Sequence, residues 1–528
     1  VTSGPGAVQR GVVRAVGAIG LATLASRVLG YVRDMVVAGI FGAGPVTDAF
    51  FVAYRIPNLL RRLLGEGALS TAVVPVFSET LARGPGESFA GMFRAVLGSA
   101  LVALGAASAL GVLAAPWVVT VMAPGWRADA ALFDLAVQLT RLMFPYLALV
   151  GLAALAMGAL NAHHRFFTAA LGPAVLNVAM IAAALVLAAR MTPPVASLAV
   201  GVLVGGVGQL AVQLPELRRL GVPLAPSAEW SHPAVRDIAR RLWPAIFALA
   251  AVQVTVVVNT LLASLLPPGT VSYLYYADRV MEFPLGVFGI ALATAVLPSM
   301  SAQAARREHE ALRDTLGFAL RLSAFIAVPA TVGLVVLGAP IVRLLFQRGE
   351  FGAAEALSTA QALVGYAVGL PAFSATRIAA QTFYALGDTR TPVWVGFLSV
   401  GANVALALGL MWPLGHVGLA LASSLSSYVQ LVVLLWLLRR RLGSLWRAEL
   451  GPSLARTAAA SAVLALWCRG FLPWLDGGWR GAAITLGVLG GGVLVYAAAA
   501  ALLRSPELRA LLGTLARREQ NLPPAPGG

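Results

Sequence analysis

Lysine is absent from this 528-residue sequence, cysteine occurs once, at Cys468, and only 11% of residues are charged. A lone cysteine excludes disulfides within the chain and cysteine-built metal clusters. A charged fraction so far below the roughly 25% of a soluble globule excludes an ordinary soluble fold. Histidine is also scarce: His163, His164, His232, His309 and His416 fall in loops or at the ends of apolar runs. They form no HExxH and no paired metal-ligand spacing. Acidic clusters able to hold magnesium for phosphotransfer are missing too, Glu308-His309-Glu310 being the nearest approach. That triplet sits in an arginine-rich amphipathic stretch and reads as a solvated face. The chain is therefore expected not to be an enzyme and to need no resident cofactor. Its first twenty residues lack a short apolar core ending in small residues, so they read as retained, not as a secretory signal.

What is present is hydrophobic surface, 59% of residues with a mean hydropathy of +0.83, which defines a polytopic membrane protein. Apolar runs of spanning length, about 20 residues or more, predict an all-α fold with fourteen spans at 15–42, 48–82, 89–123, 130–161, 167–189, 194–216, 243–266, 270–303, 314–346, 353–386, 391–412, 417–438, 453–473 and 480–503. All 38 basic residues are arginine, against 22 acids, for a formal charge of +16. In a soluble chain that excess would suggest nucleic acid. Here its placement indicates topology instead, and no nucleic-acid partner is expected. With both termini cytoplasmic, clusters such as Arg218-Arg219, Arg236 to Arg241, Arg306-Arg307 and Arg439-Arg440-Arg441 fall on one side. The opposite side keeps Arg127, Arg190, Arg348, Arg469 and Arg480.

An internal repeat gives the domain organisation. Ala53-Tyr54-Arg55 recurs as Ala277-Asp278-Arg279, and the Thr71 to Pro75 segment as Thr294 to Pro298. Ala115-Pro116 matches Ala339-Pro340, Phe144-Pro145 is echoed by Leu370-Pro371, and Asn177 by Asn403. Each half holds six spans, an even number, so the copies share orientation as parallel repeats about an axis along the membrane normal. The expected domains are an N-terminal lobe (1–220), a cytoplasmic linker (221–242), a C-terminal lobe (243–441), two appended spans (442–503) and a cytoplasmic tail (504–528) whose end is expected to be disordered. Two lobes facing one another would leave a cavity at their interface.

Charges within the spans are the candidate chemistry, because each costs roughly 2.5–3.5 kcal/mol to insert and so faces protein or water. The second span carries Asp48, Arg55, Arg61, Arg62 and Glu66, with Asn58 on the same helical stripe as Glu66. Arg61 and Arg62 read either as cavity residues or as a basic end that snorkels to the surface. Arg27, Tyr31 and Asp34 share a face of the first span, where Arg33 and Asp34 form a neutral pair or line the cavity. In the eighth span Ser272, Arg279 and Glu282 lie along one stripe with Asp278 beside it, and Arg279 either faces a ligand or is tied to Asp278 or Glu282. Arg377 in the tenth span reads as a packing or pore-rim residue. The balance is cationic: Arg27, Arg33, Arg55, Arg61, Arg62 and Arg279 suit the oxygens of a phosphorylated ligand. Prolines 57, 75, 284 and 298 bend the second and eighth spans, and glycine clusters at 201, 205 and 206 and at 487 to 492 read as close helix packing.

The segments SRVLGYVRD (26–34), FGAGPVTDAFFVAYRIPNLLRRLLGEGALSTAVVPVFSE (41–79), YYADRVMEFPLGVFGIALATAVLPS (275–299) and FYALGDTRTP (383–392) resemble the bacterial lipid II flippase family, MurJ or MviN, over essentially all fourteen spans. That family belongs to the multidrug/oligosaccharidyl-lipid/polysaccharide (MOP) exporter superfamily. The resemblance implies two six-helix lobes, a place in the bacterial cytoplasmic membrane, and movement of lipid II from the cytoplasmic to the outer leaflet for peptidoglycan synthesis. It implies membrane lipids and other cell-wall synthesis proteins as further partners. The family's essential cavity arginines correspond to Arg27, Arg33, Arg61, Arg62 and Arg279 and its essential acid to Asp48, while Arg55 stands where some members have lysine. The resemblance further implies a lateral opening between spans one and eight and a lipid-tail groove at spans thirteen and fourteen. It implies a sodium site in spans seven and eleven, for which this chain offers Gln253, Asn259, Asp388 and Asn403 and no acid in span seven. A hard cation wants carboxylate oxygens, which leaves membrane potential or another ion as alternative drivers. The other readings are a drug or cation antiporter of the same superfamily, which would need net acid in the cavity, and a membrane transferase acting on polyprenyl-linked sugars.

Overall fold

The computed structural model describes residues 24–63, 69–82, 89–445, 449–475 and 478–520, and no strand occurs among them. The helices are α1 (24–41), α2 (Pro45–Leu63), α3 (Leu69–Ala82), α4 (Phe89–Met122), α5 (Ala130–Met143), α6 (Tyr146–Ala162), α7 (Phe166–Ala170), α8 (Gly172–Leu187), α9 (Ala196–Arg219) and α10 (Pro233–Ser264). They continue as α11 (Thr270–Pro284), α12 (Ile290–Ala305), α13 (His309–Phe346), α14 (Ala353–Ala367), α15 (Leu370–Ala385), α16 (Arg390–Leu414), α17 (His416–Leu442), α18 (Leu450–Phe471), α19 (Trp479–Leu502) and α20 (Pro506–Gln520). Among the described residues eight helices, some of them joined pairs, are long and apolar enough to cross a membrane. The bent pair α14–α15, 40° at its break, would make a ninth.

Proline and glycine set the breaks. The sequence-matched pairs Phe144-Pro145 and Leu370-Pro371 both fall at a junction, between α5 and α6 and between α14 and α15. Proline at such a point removes a backbone donor and so marks a helix start rather than an interior. The predicted eighth span is interrupted after Pro284 by a π-helical turn, Leu285–Gly289, before α12 resumes.

The chain forms two compact units, Val1–Ser272 with Arg348–Gly352, and Tyr273–Gln347 with Ala353–Gly528. In the first, Phe77, Met92, Phe93, Leu155, Leu160 and Leu217 form a core joining α3, α4, α6 and α9, and α10 packs on α2, α3 and α4. Burying each such side chain contributes about 1.5–3 kcal/mol in water-exposed regions. Within the bilayer, close packing replaces that term, and Gly201 and Gly205 accordingly bring α9 against the α8 backbone at Met180 and Leu176. The predicted linker lies over the same core. Val222 is buried in it, and the Ser227 N–H donates to the Arg94 carbonyl of α4 at 3.0 Å. Only a glycine at 98 leaves room for the Ser227 carbonyl.

In the second unit, Met300, Leu312, Leu316, Ile378, Phe383, Leu434 and Leu438 form the core between α12, α13, α15 and α17. The helices predicted as an appendage, α18 and α19, pack on α13, and Tyr496 donates to the Phe325 carbonyl at 2.7 Å. Part of the predicted tail is the ordered helix α20, anchored through Glu507. Residues 521–528, the end expected to be disordered, lie outside the described residues.

Candidate functional site

Arg33 and Asp34 are both buried in α1 and bonded to each other, with Arg33 Nε and Nη2 donating to Asp34 Oδ1 at 3.0 and 2.6 Å. Arg33 Nη1 donates to Asn177 Oδ1 at 3.1 Å, and Asn177 Nδ2 donates to the Ser26 carbonyl at 3.1 Å. One amide of α8 thus holds the guanidinium and, two turns away on α1, a backbone carbonyl. A desolvated guanidinium is tolerable in this setting because carboxylate and amide oxygens replace water. Arg27 behaves differently: it is exposed, and no ion-pair partner reaches it among the described residues. Asn177 was legible only as a member of the internal repeat. The added signal was an asparagine inside the apolar run GPAVLNVAMIAAALVL.

Asp48, in the first turn of α2, is 1% exposed. Its Oδ2 accepts the Gly269 N–H at 2.6 Å. Its Oδ1 accepts the Ser272 N–H at 2.8 Å and the Ser272 hydroxyl at 2.5 Å. Gly269, with φ +93°, precedes α11, so the carboxylate satisfies donors that a helix start leaves without intrahelical partners. The negative charge also meets the positive end of that helix. Asp48 and Ser272 were both singled out in the sequence, but their contact was not. Pairing across 224 residues has no local signature.

Farther along α2, Arg55 is half-buried and its Nη1 donates to the Val256 carbonyl of α10 at 3.4 Å. Asn58 is half-buried on the same helix. Glu66 and the side chains of Arg61 and Arg62 lie outside the described residues. In the second unit, Arg279 Nη1 meets Glu282 Oε2 at 2.8 Å, one turn away on α11, with both side chains part-exposed. Asp278 is half-buried beside them, and Arg377 is exposed on α15.

Asp388 and Asn403, two of the four ion-site candidates, stand at separate points of α16. Asp388 caps α16, accepting the N–H and hydroxyl of Thr391 at 2.9 and 2.7 Å and pairing with Arg441 at 2.5 Å. Those bonds, led by the Thr391 hydroxyl, hold its carboxyl at about 2, against an ordinary 3.8. Asn403 is fifteen residues farther on, roughly 22 Å at 1.5 Å per residue. There its Nδ2 donates to Ser423 Oγ at 3.4 Å. One ion cannot bind both. Among the described residues no three His, Cys, Asp or Glu side chains cluster as metal ligands.

These helices, with charged side chains buried among apolar runs of spanning length, define an all-helical multi-pass membrane protein. Over 94% of this chain and 99% of the other, the structure superposes on that of a lipid II flippase MurJ in an inward-closed conformation, with TM-score 0.76 and 24% identity. Over 80% of this chain and 95% of the other it superposes on an inward-facing multidrug MATE transporter, with TM-score 0.60 and 18% identity. The sequence narrows the class. Residues 37–478 match the family described as lipid II flippase MurJ. The Burkholderia cenocepacia lipid II flippase MurJ is 39% identical over 79% of this chain and 82% of its own. A Vibrio cholerae protein named "Probable lipid II flippase MurJ" is 36% identical over 90% and 93%. The chain belongs to the lipid II flippase MurJ family, a family of multi-pass membrane transporters.

Proposed function

We propose that this protein moves lipid II, the undecaprenyl-pyrophosphate-linked disaccharide pentapeptide, from the cytoplasmic to the outer leaflet of the inner membrane by alternating access. The observation that carries the reading is the charge balance of α1 and α2. Arg27 is exposed without an ionic partner among the described residues, while the charge of Asp48 is spent on peptide N–H groups and a serine hydroxyl. Cation is thus left over, and a pyrophosphate is a fitting counter-charge. In this reading Arg27, Arg55, Arg61, Arg62 and Arg279 engage the pyrophosphate and sugar, and Arg33, Asp34, Asn58, Glu66, Asp278 and Glu282 shape the surroundings. The polyprenyl tail stays in lipid along the groove at α18 and α19.

The accompanying architecture is fourteen spans in two parallel six-helix lobes plus two, with both termini cytoplasmic. Residues 1–220 and 243–441 form the lobes, 221–242 the linker, 442–503 the appended pair and 504–528 the tail. Transport is driven by a sodium gradient or membrane potential, and other cell-wall synthesis proteins supply or receive the lipid. Differential affinity for the loaded and empty states must bias the conformational equilibrium.

The test is lipid II leaflet exposure in vesicles reconstituted with the protein, with and without ion gradients. Wild type should raise outer-leaflet exposure without changing the lipid's mass, and Arg27→Ala should abolish the rise with protein levels intact. Undiminished exposure in R27A, R55A and R279A together would overturn the reading. Transport of cationic dyes would replace it with antiport, and a change in lipid mass with a transferase.

A further inference from the structure

The paired ends of α16 and α17 form a cationic surface with a fixed arrangement. The two helices are joined through Gly415 and pack antiparallel, so the start of α16 and the end of α17 meet. There Arg441 bonds Asp388, the α16 cap, and lies 3.5 Å from the Thr391 hydroxyl. Arg390, at the start of α16, and Arg439, Arg440 and Arg441, at the end of α17, are all exposed. One turn inward on each helix stands a tryptophan: Trp394, four residues from Arg390 and 71% exposed, and Trp436, four residues from Arg440 and 48% exposed. The Arg440 guanidinium lies 3.6 Å from the Trp436 ring centroid.

We propose that this face is a binding site for an anionic phospholipid, with the headgroup phosphate held by Arg390, Arg439 and Arg440 and the glycerol and first methylenes lying against Trp394 and Trp436. Guanidinium groups present paired donors to phosphate oxygens, and stacking on indole holds Arg440 in place before the lipid arrives. Tryptophan prefers the headgroup level of the bilayer, so the matched depth of the two rings sets the height at which a phosphate meets the arginines. Orienting a span in the membrane needs positive charge alone. A guanidinium laid over a ring, beside a second arginine–tryptophan pair at equal depth, supplies position as well. The site is separate from the residues assigned to lipid II and does not depend on that assignment.

Native mass spectrometry of the full-length protein, titrated in detergent with dioleoyl phosphatidylglycerol or dioleoyl phosphatidylcholine, tests it. Phosphatidylglycerol should be preferred, and the R439Q/R440Q double variant should weaken its binding about twenty-five-fold, near fivefold for each arginine at a membrane surface. W436A should weaken it through loss of the stacked Arg440. R218Q/R219Q, which removes two exposed arginines from the end of α9, should bind as wild type does. Should R439Q/R440Q fail to fold, R390Q should weaken it about fivefold. The proposal is overturned by equal binding of the two lipids, by an equal loss in R218Q/R219Q, or by displacement of phosphatidylglycerol with undecaprenyl pyrophosphate.

Discussion

Asp48 in α2 receives both the backbone N–H and the hydroxyl of Ser272, at 2.8 and 2.5 Å, so an acid in one helix caps the start of another 224 residues away. Gly269 adds a third donor at 2.6 Å. Asp48→Ala strands all three and should cost about 3 kcal/mol or more, with Ser272→Ala costing about 1–2 kcal/mol. Because the two residues share one interaction, the double variant should lose less than the sum. Thermal unfolding in detergent measures each, and strict additivity would show that the contact contributes nothing.

Arg33 should depend on its oxygen partners more than on its own presence. Asp34→Ala leaves a buried guanidinium without its carboxylate, a change worth about 3–5 kcal/mol in comparable pairs. Replacing both residues, as in Arg33→Met with Asp34→Leu, should be milder than D34A alone. Asn177→Leu removes the α8 oxygen from Arg33 and the amide donor from Ser26, and should cost about 1–3 kcal/mol. If D34A melts no lower than the double variant, the buried guanidinium does not depend on its carboxylate.

Asp388 predicts an acid limb in the stability profile. Its carboxyl is held at about 2 in the folded protein against an ordinary 3.8, chiefly by the Thr391 hydroxyl, then the Thr391 N–H, with Arg441 a smaller contributor. A depressed folded value means the stabilisation is complete above about pH 4 and is lost as pH falls toward 2. Melting temperatures between pH 5 and pH 2 should therefore fall less in D388N than in wild type. Thr391→Val should move the acid limb upward, toward pH 4. Parallel profiles for wild type and D388N would refute the assignment.

Glu507 should hold α20 in place. It is 1% exposed, accepts the Ser453 and Ser505 hydroxyls at 2.7 and 2.8 Å, and lies 3.5 Å from Arg321 of α13. Arg321 also lies 3.1 Å from Glu449, a second carboxylate available to it. Glu507→Ala should accordingly cost about 2–3 kcal/mol, below the full cost of a broken buried pair. Limited proteolysis should cut the variant within α20 sooner than wild type, and an unchanged cleavage pattern would remove the anchoring role.

Gly98 should control how the linker lies on α4. A methyl group there meets the Ser227 carbonyl, a backbone atom that cannot rotate away. Gly98→Ala should cost about 1–3 kcal/mol of overpacking and speed hydrogen exchange at Ser227, whose N–H donates to Arg94. Unchanged exchange would place the strain elsewhere.

The membrane class, the all-helical character, the cationic surplus of the first two spans and the family were readable from the order of residues. Each depends on composition or on neighbours within a few turns, and an apolar run must satisfy its own backbone in lipid by forming a helix. The breaks at Phe144-Pro145 and Leu370-Pro371 fall inside runs read as single spans, 130–161 and 353–386, where the sequence marked those pairs only as members of the internal repeat. The π-helical turn after Pro284 was not readable, because the choice between bending and rewinding depends on the helices packed around it.

Tertiary structure alone decided which charges were consumed. Arg27 and Arg33 occupy the same short motif, yet one is exposed and the other is bound by Asp34 and an asparagine 144 residues distant. Asp388 and Asp48 both looked like acids available to a ligand, and each proved to be spent at a helix start. A charge written in a sequence carries its sign but not its partner. In a medium without water the partner determines whether that charge is left to bind anything else.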